Sequence, residues 1–519
     1  MKKWLCLLMS FLLLAGCAAP AKSMTDGLRP NPVEPLEDLS QGARNAAEFG
    51  VQLLQNCQKD GENTLISPLS VMSALAMTAN GAAGETKTQM EQVLGMDLDA
   101  LNPWLYTVRK ALAGDKLGMA NGIWLRNDPG LEIRGDFLQT NLDYFDAQIS
   151  TGAFDEYTVN TVNAWVKKAT GGMVDRILEK LREDDQVVLV NAMGFEADWA
   201  EPYQESSRME GMFRTEENLG KRTEFLSSVE YTYLEDESAT GFLKRCRGGD
   251  FAFAGILPRE GTTLESYVTS LTGEKLQKLL DSAKSRAVAV QLPRFETGFH
   301  TELRSALEAM GMTGAFSADA DFSGMGTSDR GNLRIGQVLH STVFRLDEQG
   351  TKAGAATSVL MEATGACPEY GVTLDRPFVY AIVDCRTNLP VFLGILRDPH
   401  PEDPGRELPD HPHSFAPEPE TIPDAPQGYC GNIRTTVRLP QKSVTLEGTP
   451  SVELTALCES LAYDPDRACR CDKEFEIVTE SGMVYECNLT EGFLRCEKGQ
   501  ADLTVGQAET IRTILEPLQ

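Results

Sequence analysis

Asp347-Glu348-Gln349-Gly350-Thr351-Lys352-Ala353-Gly354-Ala355-Ala356-Thr357-Ser358 stands out in the chain. It is a run of small and polar residues, and after Lys352 nothing bulky appears until Val359 and Leu360. By composition it is a surface loop, because it offers no side chain large enough to anchor a core. By period it is also a strand. Thr351, Ala353, Ala355 and Thr357 fall on one face, and all four are small enough to slide between packed residues without a clash. A segment that satisfies both descriptions suggests a switch.

Outward from this stretch the chain mixes helices and strands. Ser67 can cap, and Pro68 begin, a helix carrying Val71, Ala74, Leu75 and Thr78 on one face, with Gly81 ending it. A second helix is expected over 160–177, with Val162, Trp165, Val166 and Ala169 at helical spacing. Residues 187–190, 251–257, 287–292 and 391–393 are apolar runs too short to be helices and fit buried strands. The expected class is α+β, in a domain of roughly 350 residues, beyond the usual single-domain size.

At 519 residues the chain has room for further units. Lys and Arg total 48 against 76 Asp and Glu, a formal charge of -28, which argues against nucleic acid and against an electrostatic hold on anionic lipid. Met1-Lys2-Lys3, an apolar run from Trp4 to Leu14 and Ala15-Gly16-Cys17 read as an export signal over 1–16, too short to span a bilayer as a mature helix. Leu14-Ala15-Gly16-Cys17 also resembles the bacterial lipobox, which implies lipidation at Cys17 and an exported chain held to the cell membrane or surface. Residues 17–40, with Pro20, Pro30, Pro32 and Pro35, read as a flexible tether.

The main domain is expected over 41–399. From 400 to 427 eight prolines among acids read as an extended linker. Beyond it, 428–519 is expected to form a small, mainly β, disulfide-rich domain. Its strands are expected at 435–439, 475–479, 484–487 and 493–496, with a helix over 504–515. Cys430, Cys458, Cys469, Cys471, Cys487 and Cys496 crowd this tail, and an even set in a short exported segment reads as disulfides of open connectivity. No histidine lies there, which argues against a metal site.

An enzyme needs a catalytic constellation, and of the five histidines three, His400, His411 and His413, lie in the linker, leaving His300 and His340. There is no nucleophile elbow, zinc-protease helix or phosphate loop, so neither an enzyme nor a cofactor is expected.

The opening stretch, followed by Arg376-Pro377-Phe378 and Pro390-Val391-Phe392-Leu393-Gly394, resembles the reactive-loop hinge and C-terminal signature of serpins. Asn63-Thr64-Leu65-Ile66-Ser67-Pro68-Leu69-Ser70-Val71 with Gly81-Ala82-Ala83-Gly84-Glu85-Thr86 is similar to the family's N-terminal block. Leu189-Val190-Asn191-Ala192 with Phe195 and Trp199 is similar to its central strand, and Leu292-Pro293-Arg294-Phe295 to a later one. The blocks run in the family's order from about Asn45 to Pro399.

The resemblance implies a large central sheet, surrounding helices and an exposed reactive-centre loop. It implies a polar cluster of Ser67, Ser70, Asn191 and His340 beneath the sheet where strands part, with Trp199 where insertion starts. It implies a hinge of Glu348, Gly350, Thr351, Ala353, Ala355 and Ala356, small as in inhibitory members. Departures are Ser341, where a Lys commonly follows the His, and Glu196-Ala197-Asp198 before Trp199.

The implied function is suicide-substrate inhibition of an extracellular serine protease by a monomer. The family's usual loop length places the cut between Thr364 and Gly365, with Ala363 or Ala366 as alternatives. With no Lys, Arg or aromatic residue nearby, the target is expected to be elastase-like, with a small primary pocket. The alternative is a non-inhibitory serpin-fold binding or scaffold protein at the cell surface.

Overall fold

The computed structural model describes residues 22–114, 116–350, 368–401 and 406–407, and in the tail 435–439, 442–446, 454, 458, 475–478, 484–488, 493–496, 499–502 and 511. The larger compact unit begins with β1 (Lys22–Ser23), α1 (Ser40–Cys57), β2 (Thr64–Ile66), α2 (Pro68–Ala79), β3 (Leu117–Arg126), β4 (Gln148–Gly152) and α3 (Glu156–Ala169). Seven long strands follow: β5 (Val187–Phe195), β6 (Arg208–Arg214), β7 (Leu219–Glu235), β8 (Ala239–Arg245), β9 (Phe251–Pro258), β10 (Lys284–Pro293) and β11 (Phe295–Glu302). The unit closes with β12 (Ile335–Leu346), β13 (Phe378–Asp384), β14 (Leu389–Leu396) and β15 (Arg406–Glu407).

One sheet has the order β1-β4-β3-β5-β12-β11. Within it β3 and β5 are antiparallel, as are β11 and β12, but β5 and β12 run parallel, with His340 opposite Asn191. The other sheet follows the antiparallel path β10-β7-β8-β9-β13-β14-β2, and β7 also pairs with β6 and β15. Phe253 of β9, Phe344 of β12, Tyr380 of β13 and Phe295 of β11 pack ring on ring at 5.3–6.3 Å, which joins the two sheets through one aromatic core.

The four apolar runs are strands, and β5, β9, β13 and β14 are buried along their whole length. Ser67 caps α2, its hydroxyl accepting from the Ser70 amide at 3.3 Å, and Pro68 occupies the first turn. Every residue of α2 is buried, so the helix has no solvent face and packs against β3, β5 and β14.

Three expectations are corrected. The helix expected over 160–177 is α3, which starts at the Asp155 cap and stops at Ala169. Gly171 and Gly172 follow at φ +64° and +87°, left-handed conformations that end a helix, and the Asn163 side chain accepts from the Ile177 and Leu178 amides to fold the next segment back.

The tether expected over 17–40 is docked from Lys22 onward. Lys22 and Ser23 add a strand to β4, the Met24 amide donates to the Ile149 carbonyl at 2.7 Å, Asn31 binds the Asp143 carboxylate twice, and Trp104 donates to the Leu39 carbonyl. Composition misses this because the partners belong to the body. The linker start is tied down as well: His400 meets Thr223 at 2.9 Å, Lys221 holds Asp398 at 2.9 Å, and Arg406 pairs with Gly220.

The smaller unit is an antiparallel sheet of β16 (Thr435–Leu439), β17 (Lys442–Leu446), β18 (Phe475–Val478), β19 (Val484–Asn488), β20 (Phe493–Cys496) and β21 (Gly499–Asp502), in the order β17-β16-β18-β19-β20-β21. The four expected strands are present, and β17 and β21 are additional. The disulfide-rich character is not supported: no disulfide joins two described cysteines, of which Cys458 and Cys487 are buried. Cys430, Cys469 and Cys471 lie outside the described residues. So does the helix expected over 504–515, apart from Ile511, which is helical and buried.

Candidate functional site

Strand pairing puts three polar side chains in one row across the first sheet. Asn121 of β3 stands opposite Asn191 of β5, which stands opposite His340 of β12. All three face the first turn of α2, whose Ser67 and Ser70 are fully buried. The Asn191 amide donates to Ser70 Oγ and to Asn121 Oδ1, both at 2.5 Å, while its Oδ1 meets His340 Nδ1 at 2.5 Å. His340 Nε2 accepts from the Ser67 amide at 3.2 Å, and Ser67 Oγ donates to Met193 Sδ.

This geometry fixes the tautomer. Because Nε2 accepts, the ring proton sits on Nδ1 and is donated to Asn191, so a second proton has no acceptor to meet. Burial, reinforced by the neighbouring His300, pushes His340 down to about 3, and it is neutral at physiological pH. The cluster is therefore an uncharged hydrogen-bonded seam that ties β5 and β12 to the start of α2.

At the top of that seam β12 ends and the hinge begins. The Trp199 indole, fully buried, donates to the Asp347 carbonyl at 2.9 Å, and its amide donates to the Gln349 carbonyl at 2.9 Å. The Tyr203 amide donates to the Glu348 carbonyl at 2.9 Å, and Gly350 bridges to Asp198. Asp347 folds the turn by accepting from the Gln349 and Gly350 amides. A Cβ on Gly350 would sit 2.2 Å from the Ala197 carbonyl oxygen, so only glycine allows this close approach. The largely buried Glu348 carboxylate meets Arg208 at 2.5 Å and Arg294 at 3.8 Å.

Ser67, Ser70, Asn191 and His340 thus form one cluster, and Trp199, Glu348 and Gly350 form a second at the seam's upper end. Asn121, Asp347 and Tyr203 belong to these clusters without having been read from the sequence. Asn121 carried a signal, a polar residue inside a strand-like run, but only its register with Asn191 gives it meaning. Of the departures, Ser341 is buried opposite His300, and Asp198 is the residue that bridges Gly350. Thr351, Ala353, Ala355, Ala356, the reactive-bond residues Ala363, Thr364, Gly365 and Ala366, and Cys17 lie outside the described residues.

The model of the Serpin (serine protease inhibitor) family matches residues 44–399. Leukocyte elastase inhibitor from Bos taurus is 31% identical over 361 residues, 65% of this chain and 93% of its own length. Serpin B6 from Pongo abelii is 30% identical over 369 residues, 68% of this chain and 97% of its own. Among solved structures, the thermophilic serpin tengpin in the native state is 41% identical, with a TM-score of 0.70, covering 73% of this chain and all of tengpin. Tengpin in the latent state gives a TM-score of 0.62 at 38% identity, over 71% of this chain. With the family matched across the whole body that holds the seam and the hinge, this chain belongs to the serpin family.

Proposed function

We propose that the protein is an irreversible inhibitor of serine proteases that acts as a suicide substrate. A target protease attacks the loop after the hinge and forms an acyl-enzyme. The cut loop then enters the sheet as a new strand and carries the protease with it before deacylation. The observation that carries this reading is the parallel pairing of β5 and β12. A chain that leaves the end of β12 and turns back at Gly350 runs antiparallel to β12, and hence antiparallel to β5 as well. Its entry would replace one parallel ladder by two antiparallel ones, the better-bonded arrangement. A dozen added backbone bonds at a net ~1 kcal/mol each amount to on the order of 10 kcal/mol, enough to distort a captured active site.

The residues flanking the bond between Thr364 and Gly365 favour an elastase-like enzyme with a small primary pocket. The name of the bovine relative points the same way. Export on the signal over 1–16 and lipidation at Cys17 would put the inhibitor at the cell membrane or surface as a monomer. No described helix is long and apolar enough to cross a membrane.

The test mixes the protein with an elastase-like serine protease and follows denaturing gels and intact mass. The expected product is a covalent complex with a released C-terminal fragment starting near Gly365. Clean cleavage with the protease fully active would sink the inhibitory reading in favour of a binding or scaffold role.

A further inference from the structure

Beneath the hinge lies a buried cation that the family resemblance does not account for. Lys244, next to last in β8, is only 3% exposed, and its Nζ lies 2.7 Å from Glu230 of β7. The same ammonium stands 4.3 Å from the centroid of the Tyr203 ring and 5.5 Å from that of the Trp199 ring. Burial opposes the charge, but Tyr203 and Glu230 outweigh it and hold the lysine above its ordinary value. A buried ion pair of this kind is poor value as mere stability, since an apolar pair of equal volume often does as well.

Its placement gives it a purpose. Trp199 and Tyr203, whose rings contact the cation, are the residues whose amides hold the Gln349 and Glu348 carbonyls. The segment between them is fixed to the end of β8 by the Ala200 amide on the Arg245 carbonyl at 3.0 Å and the Arg247 amide on the Asp198 carbonyl at 2.7 Å. On one side the segment grips β8, and on the other it grips the hinge. Lys244 lies where the two grips meet.

We propose that Lys244 is a positioning residue for loop insertion. Its cation, fixed by Glu230, locks the Trp199 and Tyr203 rings so that their amides stay in register with the hinge, and the strength of that lock sets how readily the sheet opens. The proposal rests on the insertion mechanism above and adds its regulation. A purely structural role would stabilise open and closed sheets alike. A hinge lock acts only while the hinge is seated, so its loss speeds opening and weakens the empty sheet more than the filled one.

The experiment uses a synthetic peptide of residues 350–361, which should fill the slot between β5 and β12, and follows its uptake by native gel and tryptophan emission. In K244M, which keeps the side chain's length and removes its charge, uptake should be about tenfold faster than in the parent, as expected from losing two cation–ring contacts. The urea midpoint of the peptide-filled form should fall less than that of the empty form, because both forms lose the pair with Glu230 but only the empty form loses the seated hinge. K244R, which keeps the charge, should stay within about twofold of the parent rate. Equal uptake by parent and K244M, or an equal fall in stability of empty and filled forms, would overturn the lock. Absence of uptake by the parent itself would instead bring down the insertion mechanism and the lock with it. Should K244M fail to fold, E230Q decides: faster uptake supports the lock and the parent's rate refutes it.

Discussion

The seam cluster and the hinge clamp hold the same two strands shut by opposite means. The cluster around Asn191 uses neutral side chains, fully buried at Ser67, Ser70, Asn191 and His340 and half-buried at Asn121, joined by side-chain hydrogen bonds. The clamp uses main-chain bonds to Trp199 and Tyr203, with ions at its rim. Each kind of bond suits its place. On the proposed mechanism, a side-chain cluster would part and re-form around an intruding strand, whereas the main-chain bonds to the hinge would be given up for good when the hinge moves away.

The comparison breaks most easily at Asn191. N191A removes the hub, orphans His340 Nδ1 and leaves Ser70 and Asn121 only their 3.5 Å contact with each other, so the unfolding free energy of the intact protein in urea titration should fall by about 3 kcal/mol. A loss under about 1 kcal/mol would mean that the row is not a single network.

Acid probes the same cluster without mutation. His340 is held well below its ordinary value of 6.5, at about 3, so the unfolded chain binds the extra proton first as pH falls. Stability should therefore be intact above pH 6.5 and decline below it, by about 1.4 kcal/mol per unit at the limit, until pH approaches 3. H340Q, which cannot titrate, should lack that slope in urea titrations run at successive pH values.

At the clamp, G350A places a methyl 2.2 Å from the Ala197 carbonyl and should cost about 2 kcal/mol in the native form while leaving a loop-inserted form unaffected. Comparing the urea midpoints of cut and uncut protein checks this. E348Q has the smallest expected effect, about 0.5 kcal/mol, because the Arg208 side of its ion pair is 35% exposed, and the difference should shrink in 1 M salt as screening weakens the pair. A salt-independent effect would assign Glu348 a hydrogen-bonding role instead.

Much of this was legible in the sequence where function and local pattern coincide. Ser67-Pro68 announces a helix start by capping chemistry alone, and the short apolar runs announce buried strands by length. The hinge is named from the family resemblance, and of its residues Glu348 and Gly350 are described, both held by the segment around Trp199. What could not be read depends on register or on distant partners. Asn121 means nothing until β3 is aligned on β5, and Lys244 looks like a solvated charge until Glu230, Tyr203 and Trp199 surround it. The Pro-rich segment after Lys22 has only scattered apolar residues of its own, yet it is ordered by Asp143 and Thr107 of the body. The end of α3 is different, since Gly171-Gly172 was a stop signal in plain sight.

The parallel junction of β5 and β12 also sets an economy of use. On the proposed mechanism a sheet that has gained its extra strand has no route back, so every molecule counts one protease and is spent. Protection then scales with the number of copies standing at the surface rather than with how tightly any one of them binds. A cell relying on such a device would meet a heavier attack by making more of it, and the record of past attacks would remain in place as cut, filled sheets.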